Sequence, residues 1–298
     1  MWKSCLKLII PMLIFGSIGI FVRGISLSTV ELVFYRVFIA SIFFSLLMLL
    51  KKKNPFRCGK RALCLAAVSG VIMGINWLLF FQALRCTTVA IGTMTYYLAP
   101  VLVLFAAPFV LGEHLSKKQV VTALLAPAGL ALIVFSSGEA PLTVYHHGLG
   151  LLCGAGSALF YAMLILCNKK LDNIDNMDRT LIQLLAAALV LSPVLLKHHN
   201  FSVVKANLPL LLILGIVHTG IACYLYFSGL KETPTHLTAV LSYMDPVSAI
   251  FFAAAFLGEP ISPVQLAGTA VVLASAYLSG KSQTGAGSPG CGKVDEVN

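Results

Sequence analysis

The sequence predicts an all-α polytopic membrane protein, with ten transmembrane helices arranged as two inverted five-helix repeats. Of its 298 residues, 58% are hydrophobic and only 11% are charged, where a soluble domain carries about 25% charged residues. Apolar stretches close to the length needed to cross a hydrocarbon core, about 20 residues as helix, recur along the chain with short polar gaps between them. The stretch 79–119 returns without a gap as 225–265, an offset of 146 residues.

The spans are expected at 6–25, 29–50, 62–84, 87–111, 117–136, 148–168, 179–196, 207–230, 234–257 and 262–280. The first follows Lys3 and Lys7 and has the outline of a secretory leader. Its small-x-small triplet, Gly24-Ile25-Ser26, adjoins Arg23 and is no Ala-x-Ala site. The repeat needs this segment as a fifth span, so it is kept. Residues 1–136 then form the first repeat and 148–280 the second. The Gly/Ser-rich polar tail 281–298 is expected to be disordered and cytoplasmic.

Charge gives the orientation. The net charge of +10 would suggest nucleic acid in a soluble chain, but here the basic residues fill the gaps between apolar runs, which excludes that partner. Lys51, Lys52, Lys53, Arg57, Lys60 and Arg61 fall between spans two and three. Lys117, Lys118, Lys169, Lys170, Arg179, Lys231 and Lys281 also fall on the side of the N-terminus. Because cytoplasmic loops retain positive charge, both termini are expected to be cytoplasmic in an inner, or plasma, membrane. The run 51–57 is also suited to anionic lipid headgroups. The eight cysteines show no CxxC or metal-type spacing, and no cofactor or metal is expected. With no HExxH, GxSxG or Walker-type loop, the chain does not read as an enzyme.

The repeat aligns uncommon residues. Phe81 meets Phe227, Leu84 meets Leu230, Tyr97 meets Tyr243 and Pro100 meets Pro246. Leu111-Gly112-Glu113 meets Leu257-Gly258-Glu259, Ser116 meets Ser262 and Gln119 meets Gln265. With five spans per half, an odd number, the second copy enters the membrane upside down. Such pairs generate a pathway at their interface that opens to either side.

Pro100 and Pro246 fall within spans four and nine, where proline removes a backbone donor. Interrupted helices at matching places in two inverted halves point to a midplane binding site, and both prolines are candidate hinges. Asp245 precedes Pro246, while its repeat mate is Ala99. An ionisable group at that depth costs at least about 2.5 kcal/mol and marks a pathway, a proton relay or an ion pair. Asp245 is therefore a candidate for a substrate ammonium or a coupling proton, with capping of a broken helix or a structural pairing to a neighbour such as His218 as the alternative. Thr235, Thr238, Ser242, Asp245 and Ser248 share one helical face, expected to line a wet cavity. Asn76, Trp77, Tyr96, Tyr97, Tyr161, Tyr226 and Tyr243 offer the apolar faces and few donors that suit a small-molecule pocket, although packing uses the same residues. Arg36 suits a substrate carboxylate, unless it snorkels or pairs with Glu31. His218 is either a proton relay or a packing residue. Gly70 with Gly74, Gly150 with Gly154 and Gly215 with Thr219 are spaced for close helix packing.

These residues resemble the EamA family of the drug/metabolite transporter superfamily. The likeness rests on Phe15-Gly16-Ser17, on Tyr35-Arg36-Val37, and on an aromatic-x-x-small-Leu in each half, Phe80 to Leu84 and Tyr226 to Leu230. Tyr-x-x-Pro and a closing Gly-Glu follow in both halves. The resemblance spans about residues 6–280. It departs in Phe15, where the family commonly has Trp, and in Gln183, near the place of Arg36 in the second half. It implies two EamA repeats and the export or exchange of a small metabolite, such as an amino acid, by alternating access through a central cavity. A proton or counter-substrate would couple transport. A monomer is compatible with this architecture. A passive channel is the competing reading, separated by saturable, exchange-coupled flux.

Overall fold

A chain that crosses lipid must satisfy its backbone polar groups internally, which favours helix throughout, and helix is what forms. In the computed structural model, residues 2–22, 25, 27–52, 58–87, 89–113, 115–135, 146–171, 174–195, 201–258 and 261–284 are described. Arg23, Gly24 and Ser26 of the leader-like triplet, residues 53–57 of the basic run, Glu259 and the tail beyond 284 lie outside them.

The first half contains α1 (Trp2–Gly16), α2 (Ile18–Val22), α3 (Thr29–Leu50), α4 (Lys60–Cys86), α5 (Val89–Tyr96), α6 (Ala99–Leu111) and α7 (Lys117–Phe135). The second contains α8 (His147–Lys170), α9 (Asn176–Leu195), α10 (Phe201–Ala206) and α11 (Leu208–Ile213). A π-helical segment (Leu214–Ile221) leads into α12 (Ala222–Glu232), followed by α13 (Thr235–Leu241), α14 (Met244–Leu257) and α15 (Pro263–Thr284). A helix or a broken pair of helices thus occupies each of the ten expected places. Among the described residues, five stretches are long and apolar enough to cross a membrane: Val30–Leu50, Lys60–Ala83, Gly148–Lys170, Leu208–Glu232 and Thr235–Phe256. Ala99–Leu111 and Pro263–Ser279 are apolar but shorter. Large apolar side chains cover the outside, among them Phe109 at 90% exposure and Leu152 at 73%, as a lipid-facing surface requires.

The matched residues of the two halves do matched work at helix ends. Gly112 (φ 69°) and Gly258 (φ 68°) close α6 and α14 in the left-handed conformation, which glycine adopts without a Cβ penalty. Ser116 and Gln119 exchange hydrogen bonds ahead of α7, with Ser116 N donating to Gln119 Oε1 (2.8 Å) and Gln119 N to Ser116 Oγ (3.3 Å). Ser262 and Gln265 repeat this reciprocal cap before α15 at 2.8 and 3.1 Å. Two isolated sequence matches are thereby one structural device used twice.

Packing also repeats on exchange of the halves. α4 lies against α8 as α12 lies against α1, and α6 against α8 as α14 against α1. α4 meets α9 as the π segment meets α3, while α3–α9 and α7–α15 map onto themselves. At the α7–α15 crossing, Gly129 and Gly268 face each other so closely that a Cβ on Gly129 would lie 2.7 Å from the Gly268 carbonyl oxygen. The small-residue pairs of the sequence lie at such contacts. Gly70 and Gly74 face Gln183 and Ala187, Gly150 and Gly154 face Thr87 and Thr95, and Gly215 faces Ile39.

Arg179 departs from the positive-loop reading. It is fully buried, donating to the carbonyls of Asn168 (3.0 Å) and Phe227 (2.7 Å) and to Asn176 Oδ1. The carbonyls exposed at the end of α8 attract a cation, so this arginine closes helix ends.

Candidate functional site

Both prolines stand at the start of a new helix, where the missing N–H leaves no broken bond. Pro100 is the second residue of α6 and Pro246 the third of α14. The chain between the paired helices, Tyr97-Leu98 and Ser242-Tyr243, forms the two breaks. Each break presents a tyrosine, and the tyrosines meet. Tyr243 Oη donates to the Tyr97 carbonyl at 2.8 Å, and Tyr97 Oη donates to Asp245 Oδ2 at 2.5 Å, with the rings 5.8 Å apart.

From this crossing an aromatic row runs through both halves. Tyr96 packs edge to face on Tyr97 (5.2 Å) and stacks on Tyr161 with centroids 5.1 Å apart and planes 4° from parallel. The Tyr161 and Tyr226 hydroxyls are 2.7 Å apart, and Phe15 meets Tyr226 edge to face. Tyr97, Tyr161, Tyr226 and Tyr243 are buried, while Tyr96 and Asp245 retain partial exposure. Offset and edge-to-face pairs make a stiff wall of rings with few polar tips.

The hydroxyls around Asp245 are buried and bonded within the protein. Thr235, Thr238, Ser242 and Ser248 are buried. Thr235 Oγ1 bonds Glu113 (2.6 Å), Ser242 Oγ the Thr238 carbonyl (2.9 Å), and Ser248 Oγ the Asp245 carbonyl (2.9 Å). Helical spacing finds a common face; it does not tell a wet face from a packed one.

Arg36 is 4% exposed, so it does not snorkel. Glu31 is engaged elsewhere, in a capping box with Ser28 at the start of α3. The Arg36 Nε instead donates to Thr219 Oγ1 at 3.1 Å, and its guanidinium carbon lies 5.5 Å from the Trp77 ring centroid, within cation–π range. No carboxylate among the described residues lies within ion-pair distance of it. Thr219 owes its position to the π segment, where its hydroxyl also donates to the Leu214 carbonyl at 2.8 Å. Such π turns are rare and concentrate at functional sites.

His218, beside Thr219, is buried and does not pair with Asp245. Its Nε2 is 2.9 Å from Ser17 Oγ, and Phe21 packs edge to face on its ring at 4.8 Å. Asn76 clasps α4 to α8 through the Ser157 carbonyl (2.8 Å) and Oγ (3.0 Å). The aromatic row, the tyrosine breaks and Asp245 are therefore brought together, with Arg36 and Trp77 as a second group and Asn76 and His218 held at helix contacts.

The sequence matches the EamA-like transporter family profile twice, over residues 2–135 and 148–280. The chain belongs to the EamA-like transporter family. It is 30% identical over 277 residues, 93% of this chain and 89% of the relative, to an uncharacterized transporter, YxxF, of Bacillus subtilis strain 168. It is 26% identical to the protein PecM of Dickeya dadantii strain 3937 over 206 residues, 67% of each chain. A solved crystal structure shares the fold, with a TM-score of 0.79 and 21% identity over 93% of this chain and 97% of the other. With these transporter relatives and its apolar helices, the EamA chain is an integral membrane transporter.

In the EamA chain, what spacing did not convey is the pairing of Ser17 with His218, of Thr219 with Arg36 and of Glu113 with Thr235. Ser17 and Thr219 become visible only through the helix break at Gly16 and the π segment, neither of which has a periodicity signal. Gly16 of the Phe15-Gly16-Ser17 motif is a contact residue. A Cβ there would lie 2.7 Å from the Asp245 carbonyl oxygen and 2.9 Å from Ala249 N, so its smallness lets α1 reach the start of α14.

Proposed function

We propose that this EamA-like protein is a secondary transporter that moves a small metabolite bearing both a carboxylate and an ammonium group, an amino acid or related compound, by alternating access. The observation that carries the reading is a pair of unmatched charges, Arg36 buried and Asp245 partly exposed. Arg36 is fixed by Thr219 and Trp77 with no counter-carboxylate among the described residues, and among the same residues the Asp245 carboxylate has only the Tyr97 hydroxyl as its hydrogen-bond partner. Neither charge is neutralised by the other described residues, and an unpaired ion within the membrane is costly. A zwitterion supplies both counter-charges, with a planar carboxylate for the guanidinium fork and an ammonium for Asp245, or for a proton when the site is empty. The aromatic row is the apolar wall.

In this reading the ten helical places are ten crossings, the halves are inverted, and the face carrying Lys7, Lys169 and Lys231 is cytoplasmic, with both termini there. Pro100 and Pro246 allow the two broken helices to swing about the Tyr97–Tyr243 crossing, so that the site faces one side and then the other.

A stability screen tests the site. A ligand that binds the native state raises apparent stability. Purified protein and the Asp245→Asn variant are heated with amino acids, amines, carboxylates, sugars and nucleosides. Zwitterions are expected to stabilise the parent and to lose that effect in the variant. Stabilisation by sugars or nucleosides, undiminished in Asp245→Asn, rules the reading out.

A further inference from the structure

Exchange of the halves maps most packing pairs onto pairs that are also present, but not all. α13 packs against α6 and α7, whereas the exchanged pairs, α5 with α14 and α5 with α15, have no comparable packing among the described residues. Burial follows the same division. Every residue of α13 is buried, while Thr93, Thr95 and Tyr96 of α5, the mates of Ala239, Leu241 and Ser242, are partly exposed. The two halves therefore close between α13 and α6–α7 on the face where α13 begins, whereas on the face where α5 begins α5 packs on α8 but stands away from α14 and α15.

The closed face has a bond that the open face has no means to copy. Thr235 Oγ1, at the first position of α13, donates to Glu113 Oε1 just beyond the end of α6, at 2.6 Å. The mate of Thr235 is Val89, which has no hydroxyl to donate. We propose that Glu113 and Thr235 are positioning residues forming a one-sided latch that holds the transporter closed on this face and open on the other; this rests on the transport reading, since opening and closing matter only to a carrier. A bond made in one conformation and absent from the other shifts the equilibrium by its full differential strength, and a hydrogen bond to a charged group is strong enough for a bias of about tenfold or more.

Thiol accessibility tests the latch without any substrate. In a cysteine-free full-length chain held in lipid nanodiscs, Thr93→Cys and Ala239→Cys place one thiol on each of two mated positions, probed with a small cationic methanethiosulfonate. The Thr93 position is expected to react at least about tenfold faster than the Ala239 position. Adding Thr235→Val, the residue its mate already has, is expected to raise the rate at 239 and lower it at 93. Glu113→Gln keeps an acceptor oxygen and is expected to remain closer to the parent than Glu113→Ala. A general loosening would raise both rates together, and that result overturns the proposal, as do equal parent rates or rates unmoved by Thr235→Val. Reciprocal rates alongside a failed ligand screen would retain the latch and remove only the zwitterion reading.

Discussion

Tyr97 and Tyr243 are repeat mates that bond to each other unequally. Tyr243 gives its hydroxyl to the Tyr97 carbonyl at 2.8 Å, but Tyr97 turns its own hydroxyl to the Asp245 carboxylate at 2.5 Å. The cause lies two residues further on, where the second half has Asp245 and the first has Ala99. One substitution between otherwise matched halves converts a structural tyrosine into part of a charged site.

The two hydroxyls therefore separate stability from binding. Tyr243→Phe leaves a buried carbonyl without its donor, which costs about 1–3 kcal/mol and should lower the melting temperature in detergent while leaving ligand affinity nearly unchanged. Tyr97→Phe should do the reverse, weakening the ligand-induced stabilisation more than the resting stability. Thermal unfolding of both variants with and without ligand checks the order, and the opposite order contradicts the assignment.

Arg36→Lys keeps a positive charge but gives up the planar fork and the Nε bond to Thr219, a change that is not conservative at such a site. Ligand affinity is expected to fall about tenfold or more, the scale of one charged hydrogen bond. A stability titration reads it. Unchanged affinity would mean that Arg36 only braces the π segment.

Glycine positions give a paired test of packing. Gly16→Ala drives a methyl into the backbone at Asp245 and Ala249, and overpacking of this kind costs about 1–3 kcal/mol. Gly148, near the start of α8, has nothing within 4 Å of its would-be Cβ, so Gly148→Ala is expected to be neutral or to gain up to about 1 kcal/mol in helix propensity. Melting temperatures of the two variants compare them directly.

Much of this organisation is legible in the residues. The 146-residue offset pairs Gly112 with Gly258 and Ser116 with Ser262, and each pair proves to be one capping device. It also isolates Asp245 beside Ala99. What spacing does not convey is which partner a polar side chain finds. Thr238 and Ser242 look the same as cavity-lining residues and as residues bonded back to carbonyls, and Arg179 reads as a loop cation until the end of α8 folds over it. The π segment is likewise silent, because a one-residue change in turn size leaves the apolar content of the span unaltered. The number of crossings shows the same boundary. Composition marks ten apolar stretches, yet helix breaks at Tyr97 and Ser17 divide some of them into pieces shorter than a bilayer.

Transport itself tests the central claim most directly. The parent and Asp245→Asn proteins are reconstituted into proteoliposomes loaded with the stabilising zwitterion, and counterflow of the labelled compound is followed across substrate concentration. The account expects saturable, exchange-stimulated uptake by the parent and a loss of about tenfold or more in the folded variant. Non-saturating flux in the parent, or equal uptake by Asp245→Asn, would contradict it.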